Sequence, residues 1–206
     1  MARIARVLCP RIPHHVTQIG NRWQPTFFCD DDYLAYVKLM AEWCRKQGVV
    51  IWAWCLMPNH VHLITVPQTE TGLARAIGEA HRRYTRRINF RENWREHLWQ
   101  ERFASFPMDE SHLFAAIRYV EMNPVAAGLV STPAEYRWSS ARAHIEELKI
   151  LKRHEHTGRP LGSERFIDKM EQAMGRVLRP QNPVPKRDLI VRYTVPYFVW
   201  WIRFCG

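Results

Sequence analysis

Two apolar runs separated by only two residues place the strongest constraint on how this chain folds. The runs VVIWAWCLM and HVHLITV, at 49–57 and 60–66, are rich in the β-branched and aromatic residues that favour strands. The residues between them, Pro58 and Asn59, are typical of a turn. The sequence therefore predicts an antiparallel pair of strands joined by a short turn.

A strand and a helix are predicted before this pair. Residues 12–19, IPHHVTQI, are β-rich and run into the turn-like sequence GNRWQP. From Asp31, apolar side chains recur at helical spacing as far as Gly48. Because a glycine commonly ends a helix, the sequence predicts an amphipathic helix that ends there.

A helix, a strand and a second helix are predicted after the pair. Residues 71–89 form an amphipathic helix whose polar side is strongly positive, and RFASFPM can form a strand. Ser111 is the predicted N-cap of the last helix, which is expected to end before Pro124. The order β-α-β-β-α-β-α predicts an α+β, ferredoxin-like fold of split β-α-β halves around an antiparallel sheet. We expect the helices to cover one sheet face and to leave the other available.

The composition changes towards the C-terminus. We interpret residues 1–145 as one domain, the polar and basic residues 146–162 as a linker, and 163–206 as an appended helix and tail. The helix is predicted from Ser163 to Leu178, and the prolines of RPQNPVPKRD predict an extended or disordered segment. The apolar ending LIVRYTVPYFVWWIRFCG is interpreted as packing on the domain, as an oligomer contact, or as a shifted reading frame.

Charge and cysteine content suggest a partner and a compartment. The net charge of +10 indicates a polyanionic partner, with nucleic acid as the leading candidate and a merely solubilising surface as the alternative. The five cysteines are scattered and never spaced CxxC, which favours a reducing cytoplasm. The N-terminus lacks the apolar stretch of a secretory signal, and the apolar ending is too short to span a bilayer. We expect a soluble cytoplasmic protein.

The strand that begins at His60 carries two imidazoles. His60 and His62 point to the same face of a strand, with Cα atoms about 7 Å apart, so they can share one divalent cation. The alternative is that one histidine packs in the core and the other is solvated. A second HxH, at His154, lies among charged residues of the predicted linker and is interpreted as solvated surface.

The last predicted helix can supply a nucleophile and a further ligand. Tyr119 and Asn123 lie four residues apart and so share one helix face. A carboxamide oxygen can coordinate a hard divalent cation. For Tyr119 alone, the alternative is an amphipathic residue at the core boundary.

Four motifs, in order and spacing, resemble one family. HVTQIGNR, LMPNHVHLI, RYVEMNPVAAGLV and YRWSSA are similar to motifs of the REP-associated tyrosine transposases, a branch of the single-tyrosine HUH transposases. The resemblance covers roughly residues 3–143. It implies that His60-Val61-His62 is the HUH motif, Tyr119 the nucleophile and Asn123 the third metal ligand. Tyr84 is the competing nucleophile, but its helical neighbour at i+4, Ile88, cannot bind metal.

The resemblance also implies a reaction and its partners. Tyr119 would attack a phosphorus of hairpin-forming single-stranded DNA, leaving a 5′-phosphotyrosine link and a free 3′-hydroxyl. The cofactor is expected to be Mg²⁺ or Mn²⁺, with Zn²⁺ possible on two histidines. What accepts the tyrosine proton is left open. The protein is expected to act as a monomer or homodimer.

Arginines and tryptophans near the second helix are candidate DNA contacts. Trp94 and Trp99 either stack on unpaired bases or belong to the core. The predicted phosphate contacts are Arg22, Arg82, Arg83, Arg86, Arg87, Arg95 and Arg102.

Two other functions are compatible with the same residues. A non-catalytic module that binds hairpin DNA or RNA would use the basic surface without needing the metal. A metal-dependent phosphohydrolase would use water and form no covalent adduct. Neither of these functions needs Tyr119 as a nucleophile, whereas the transposase does.

Overall fold

The secondary structure follows the predicted order. A computed structural model describes residues 7–179. Its elements are β1 (His14–Ile19), α1 (Asp30–Lys46), β2 (Val49–Met57), β3 (His60–Pro67), α2 (Gly72–Glu92), β4 (Ala104–Pro107), α3 (Glu110–Ala126), α4 (Ala141–Thr157) and α5 (Glu164–Met174). Short 3-10 turns lie at Asn21–Trp23 and Pro133–Glu135. Within these described residues, no helix is long and apolar enough to cross a membrane.

The four strands form one antiparallel sheet in the order β2-β3-β1-β4. The turn at Pro58 and Asn59 sets β2 against β3, with Met57 opposite His60. On its other side β3 pairs with β1, so that His62 lies opposite Thr17. β1 and β2 therefore run in the same direction with β3 between them. This arrangement confirms the predicted ferredoxin-like fold.

Helices cover both sheet faces, so the prediction of one available face was wrong. On one face, Val16, Val61 and Leu63 belong to a core that α1 and α2 complete. On the other face, Ile64 packs in a second cluster with Val120 of α3. The reason is that β3 carries apolar side chains on both of its faces, and burying both requires a helix on each side. His60 and His62 alternate with Val61 and Leu63, so they lie on the face that α3 covers.

The ends of α3 differ from the predicted ones. The N-cap is Asp109 rather than Ser111, because the Asp109 carboxylate accepts a hydrogen bond from the His112 backbone N–H at 3.1 Å. The Ser111 hydroxyl donates to the same carboxylate. The helix also continues through Pro124 to Ala126. A proline this close to the C-terminal end costs a single helical hydrogen bond, to the carbonyl four residues earlier. Asn123 consequently stays helical, one turn after Tyr119.

The chain divides after Arg142 into two compact units. In the second unit, the stretch interpreted as a linker is helical as far as Thr157, as part of α4. Polar and basic composition suits an exposed helix as well as a linker, and the ion pair between Lys149 and Glu146 at 2.8 Å supports the helix. α5 begins after its N-cap Ser163 and is shorter than predicted. The expectations for the tail fall in 180–206, outside the described residues.

One histidine is part of the core between α1 and α2. His81 is buried, hydrogen-bonded through Nε2 to the Tyr36 hydroxyl at 2.9 Å, and stacked on Trp99 with ring centroids 4.6 Å apart. Burial lowers the pKa of His81 to about 3. Trp99 is thus a core residue, and this resolves the alternative for that tryptophan.

We expect acid to destabilise the fold through this histidine. The unfolded chain binds a proton at His81 below the ordinary pKa of 6.5, whereas the folded chain does so only near 3. The stabilisation is complete above pH 6.5 and is lost as the pH falls towards 3, by up to about 1.4 kcal/mol per pH unit. Urea unfolding at several pH values measures this slope.

His81→Gln is the matched variant, because glutamine does not titrate and can still accept the Tyr36 hydrogen bond. It should be less stable at pH 7 by about 1–2 kcal/mol, since a buried contact is weakened, but its stability should depend less on pH. Equal slopes in the two proteins would contradict the assignment.

Candidate active site

The predicted histidine pair converges on the face covered by α3. His62 is buried, with 5% of its surface exposed, whereas His60 at the start of β3 is half-buried. The two rings lie 4.9 Å apart between centroids and are nearly perpendicular. The rigid strand therefore fixes two imidazoles beside each other.

α3 brings the predicted nucleophile against these rings. The Tyr119 ring lies edge-on to His62, with centroids 5.6 Å apart, and 57% of Tyr119 is exposed. One turn later, the Asn123 amide donates to the Tyr119 carbonyl at 2.9 Å, and its side chain is close enough to His60 to oppose the lowering of that imidazole's pKa. All four residues singled out from the sequence are thus brought together. The anchor between them is Val120, which is buried against the sheet.

The hydrogen bond between His60 and Asn59 indicates where the ring proton of His60 lies. Its Nδ1 lies 2.7 Å from Oδ1 of Asn59, which can only accept, so we assign the proton to Nδ1. The lone pair of the neutral ring is then on Nε2. The same Asn59 uses its amide to donate to the Trp23 carbonyl at 3.2 Å.

His62 has a partner that sequence reasoning missed. Its Nδ1 lies 3.0 Å from Nε2 of His15, and the two rings stack with centroids 5.2 Å apart. Thr17 approaches the same Nδ1 at 3.4 Å. His14 bonds instead to the Ile12 carbonyl and the Cys9 amide. The available signal was the polar pair His15 and Thr17 at i, i+2 on β1, which faces His62 once the strand order is known.

Burial keeps the three rings neutral near physiological pH. The pKa of His62 is lowered to about 3, mainly by burial and further by His60 and His15. Burial also lowers the pKa of His60 and of His15. Neutral imidazoles have the lone pairs that a metal needs. Among residues 7–179, no group of three or more His, Cys, Asp or Glu forms a metal site, and the candidate set differs because its third donor is an amide.

The competing tyrosine is not accessible. Tyr84 is fully buried in α2, and its hydroxyl donates to the Thr26 carbonyl at 2.7 Å. Burial raises its pKa. A buried hydroxyl that already has an acceptor cannot reach a phosphate, so Tyr119 is the better candidate.

The turn after β1 is strained and connected to His60. Arg22 and Trp23 both have left-handed backbones, with φ of 54° and 61°, a conformation that costs of order 1–2 kcal/mol for such residues. Gly20 is required in this turn, since a Cβ there would lie 2.3 Å from the Gln24 carbonyl oxygen. Trp23 is 62% exposed, and its carbonyl is held by Asn59. The turn therefore places Arg22 and Trp23 next to the residue that orients His60.

The other predicted DNA contacts lie away from the tyrosine. Four of them are exposed on α2, on the opposite sheet face: Arg82, Arg83, Arg86 and Arg87. Two lie between α2 and β4: Arg95 and Arg102. Arg82 and Arg83 pair with Glu79 at 2.7 and 3.6 Å. Within residues 7–179 the others, and Arg22, have no ion pair.

Comparison with known proteins identifies the family of this chain. The model of the family described as "Transposase IS200 like" matches residues 11–123, more than half of the chain, and this range contains all four site residues. The chain belongs to the IS200-like transposase family. No curated protein sequence matches it.

Two solved structures are similar. A REP-associated tyrosine transposase bound to a REP hairpin is 19% identical, with a TM-score of 0.61 over 71% of this chain and 86% of that one. This likeness confirms the fold. A putative transposase from Deinococcus radiodurans is 18% identical, with a TM-score of 0.40 over 57% of this chain and 94% of that one.

We expect the His62 ring to show no titration between pH 8 and pH 5, because its pKa is about 3 and it stays neutral throughout that range. The measurement is an NMR pH titration of the histidine ring signals, with His62 assigned by comparison with His62→Gln. A titration midpoint above pH 5 would contradict the buried, neutral ring.

Proposed function

We propose that this protein is a metal-dependent single-stranded DNA transesterase that cuts and rejoins strands at hairpin-forming palindromic repeats. The observation that carries the proposal is the placement of an exposed Tyr119 edge-on to the neutral, buried His62. Family membership supports DNA transposition as the setting. The hairpin in the similar solved structure supports the kind of substrate.

The proposed step exchanges one phosphodiester for another. The Tyr119 oxygen attacks the scissile phosphorus and forms a 5′-phosphotyrosine link while the bond from phosphorus to the 3′-oxygen breaks. The departing strand takes up a proton and leaves as a 3′-hydroxyl. The tyrosine proton passes to water, because the side chain is exposed and its hydroxyl has no hydrogen-bond partner within residues 7–179. Attack by a 3′-hydroxyl on the phosphotyrosine reverses the step and rejoins DNA.

Three side chains of this site fit a divalent metal. His60 and His62 are neutral and use Nδ1 in hydrogen bonds, so each can offer Nε2, and Asn123 can offer Oδ1. Mg²⁺ or Mn²⁺ suits a site completed by phosphate and water oxygens, while two imidazoles also allow Zn²⁺. Such an ion would draw charge from the phosphate oxygens and the leaving oxygen.

His15 has a positioning role in this proposal. The separation of 3.0 Å permits one proton between the two histidines. If His62 donates it from Nδ1, the lone pair of His62 lies on Nε2, where a metal can use it. His15 thus selects the useful tautomer without touching substrate or metal.

A non-catalytic hairpin-binding module is the second candidate. It is favoured by the arginines of α2, which lie on the sheet face away from Tyr119 and can bind DNA independently of it. A phosphohydrolase that uses water is the third candidate.

The cysteines suit action in the cytoplasm, because those of the described residues are all free: Cys9, Cys29, Cys44 and Cys55.

Tyr119→Phe should abolish strand cleavage and covalent capture while leaving DNA binding within about twofold, because only the attacking oxygen is lost. The substrate is a hairpin from the DNA that flanks the gene, labelled at its 5′ or its 3′ end. It is incubated with Mn²⁺ or with chelator and resolved on a denaturing gel. The wild-type protein should form a metal-dependent adduct with the 3′-labelled fragment.

The other outcomes identify the alternatives. Cleavage without an adduct, retained in Tyr119→Phe, indicates the phosphohydrolase. Binding of the hairpin with neither cleavage nor capture indicates the binding module. An adduct with the 5′-labelled fragment would contradict the proposed polarity.

His15→Phe should weaken Mn²⁺ binding by roughly tenfold or more, because the ring is kept while the hydrogen bond to His62 is lost. Isothermal titration with Mn²⁺ in the absence of DNA measures the affinity. His15→Gln, which keeps a hydrogen-bonding group, should recover part of it. Equal affinities of wild type and His15→Phe, at equal thermal stability, would remove His15 from the mechanism.

A further inference from the structure

A basic pocket lies on the side of the domain away from Tyr119. Its volume is about 540 Å³, and it is formed by the last turns of α2 and the residues that follow. Three arginines line it, Arg82, Arg86 and Arg95, together with the aromatic residues Phe90 and Trp94. None of its lining residues is acidic. α2 packs on the sheet face opposite α3, so the pocket is separate from the candidate active site.

The aromatic side chains of this pocket face solvent. Phe90 is 91% exposed, the highest value among the exposed large apolar residues of the described chain. Trp94 is 39% exposed, and its ring is held edge-on against Phe28 at 5.7 Å. An exposed phenylalanine adds nothing to the core. Beside cations, such side chains provide stacking surfaces for bases, and stacking needs no particular base identity.

The cations of the pocket are largely uncompensated. Arg82 is paired with Glu79, whereas Arg86 and Arg95 have no ion pair within residues 7–179. Arg86 shares an exposed side of α2 with Phe90, four residues later. The combination of free guanidinium groups and aromatic faces matches the two parts of a nucleotide, its phosphate and its base.

Hydrogen bonds and ring contacts connect the pocket to the end of the sheet where β3 begins, at His60. Phe28, which contacts the Trp94 ring, lies two residues after Thr26. The backbone N–H of Thr26 donates to the Pro58 carbonyl at 2.8 Å. The carbonyl of Thr26 accepts the Tyr84 hydroxyl of α2. The turn with the exposed Trp23 lies at this same end, bound to Asn59. A single strand that contacted both the active site and the pocket would pass this end of the sheet.

We propose that this pocket binds an unpaired nucleotide of the substrate strand, outside the hairpin and several positions away from the scissile phosphate. Phe90 and Trp94 stack on its base, and Arg86 and Arg95 bind the adjoining phosphates. The inference rests on the proposed action on single-stranded DNA. It adds a second contact that recognises the single-stranded flank of the hairpin.

Binding of two substrates by the full chain tests the pocket. One is the hairpin with single-stranded flanks, and the other is the same hairpin without them. All proteins carry Tyr119→Phe so that no strand is cut, and affinity is measured by fluorescence anisotropy at fixed salt. Phe90→Ala and Arg86→Ala should each weaken binding of the flanked hairpin about tenfold, and Phe90→Ala should leave binding of the flankless hairpin unchanged. Arg75→Ala, an exposed arginine near the other end of α2, is the matched control and should change neither.

A spectroscopic measurement locates the bound base. 2-Aminopurine is placed at successive flank positions, and stacking should quench its fluorescence at one of them in the parent protein. Phe90→Ala should restore the fluorescence at that position. Quenching at no position, or affinities of Phe90→Ala and Arg86→Ala equal to that of the parent, would overturn the proposal.

The binding test of the pocket and the adduct test of the proposed reaction can have different outcomes. If the protein with Tyr119 forms no adduct but the pocket variants lose affinity for the flanked hairpin, the pocket stands and the protein is a binding module. If the adduct forms while the pocket variants bind normally, the reaction stands and the pocket proposal is wrong.

Discussion

The packing of α3 on the β2–β3 pair is the contact on which the site depends. Val120 is buried in a cluster with Ile64 and Met57, and this fixes the rotation of the helix about its axis. Tyr119 precedes that anchor and Asn123 follows it by three residues, so both are directed towards the histidines. If the helix were rotated by one residue, about 100°, the tyrosine would leave the rings entirely. A small apolar cluster therefore determines the geometry of a polar site.

A second constraint is the hydrogen bonding of the imidazoles. Burying a polar ring is costly unless its nitrogens find partners. Here Asn59 satisfies Nδ1 of His60, and His15 satisfies Nδ1 of His62. In both rings Nδ1 is used by the protein, so Nε2 is left for a ligand. The arrangement that lowers the cost of burial is thus the one that leaves both Nε2 atoms available for the metal of the proposed function.

Local sequence patterns were sufficient to predict the element order and to single out four residues that the structure brings together: His60, His62, Tyr119 and Asn123. The hairpin around Pro58, the helical spacing of α1 and α2, and the i, i+4 relation of Tyr119 and Asn123 are local properties, and the structure has all of them. What failed depended on tertiary contacts. The face that α3 covers follows from the burial of β3 on both of its sides. The contact of His15 with His62, 47 positions later, follows from the pairing of β1 with β3. In α4, a charged composition could not distinguish an exposed helix from a linker.

In this basic chain, the arginine cluster of α2 and the candidate active site lie on opposite faces of the sheet. A positive cluster beside His60 and His62 would disfavour a cation there by electrostatic repulsion. The arginines of α2 are separated from that site by the sheet, and they can still attract the phosphates of a strand that reaches both faces. In the proposed function, the positive charge of α2 would hold DNA. In the same proposal, the neutral histidines would be left to bind the metal, and Tyr119 would act on the phosphate that the strand places beside them.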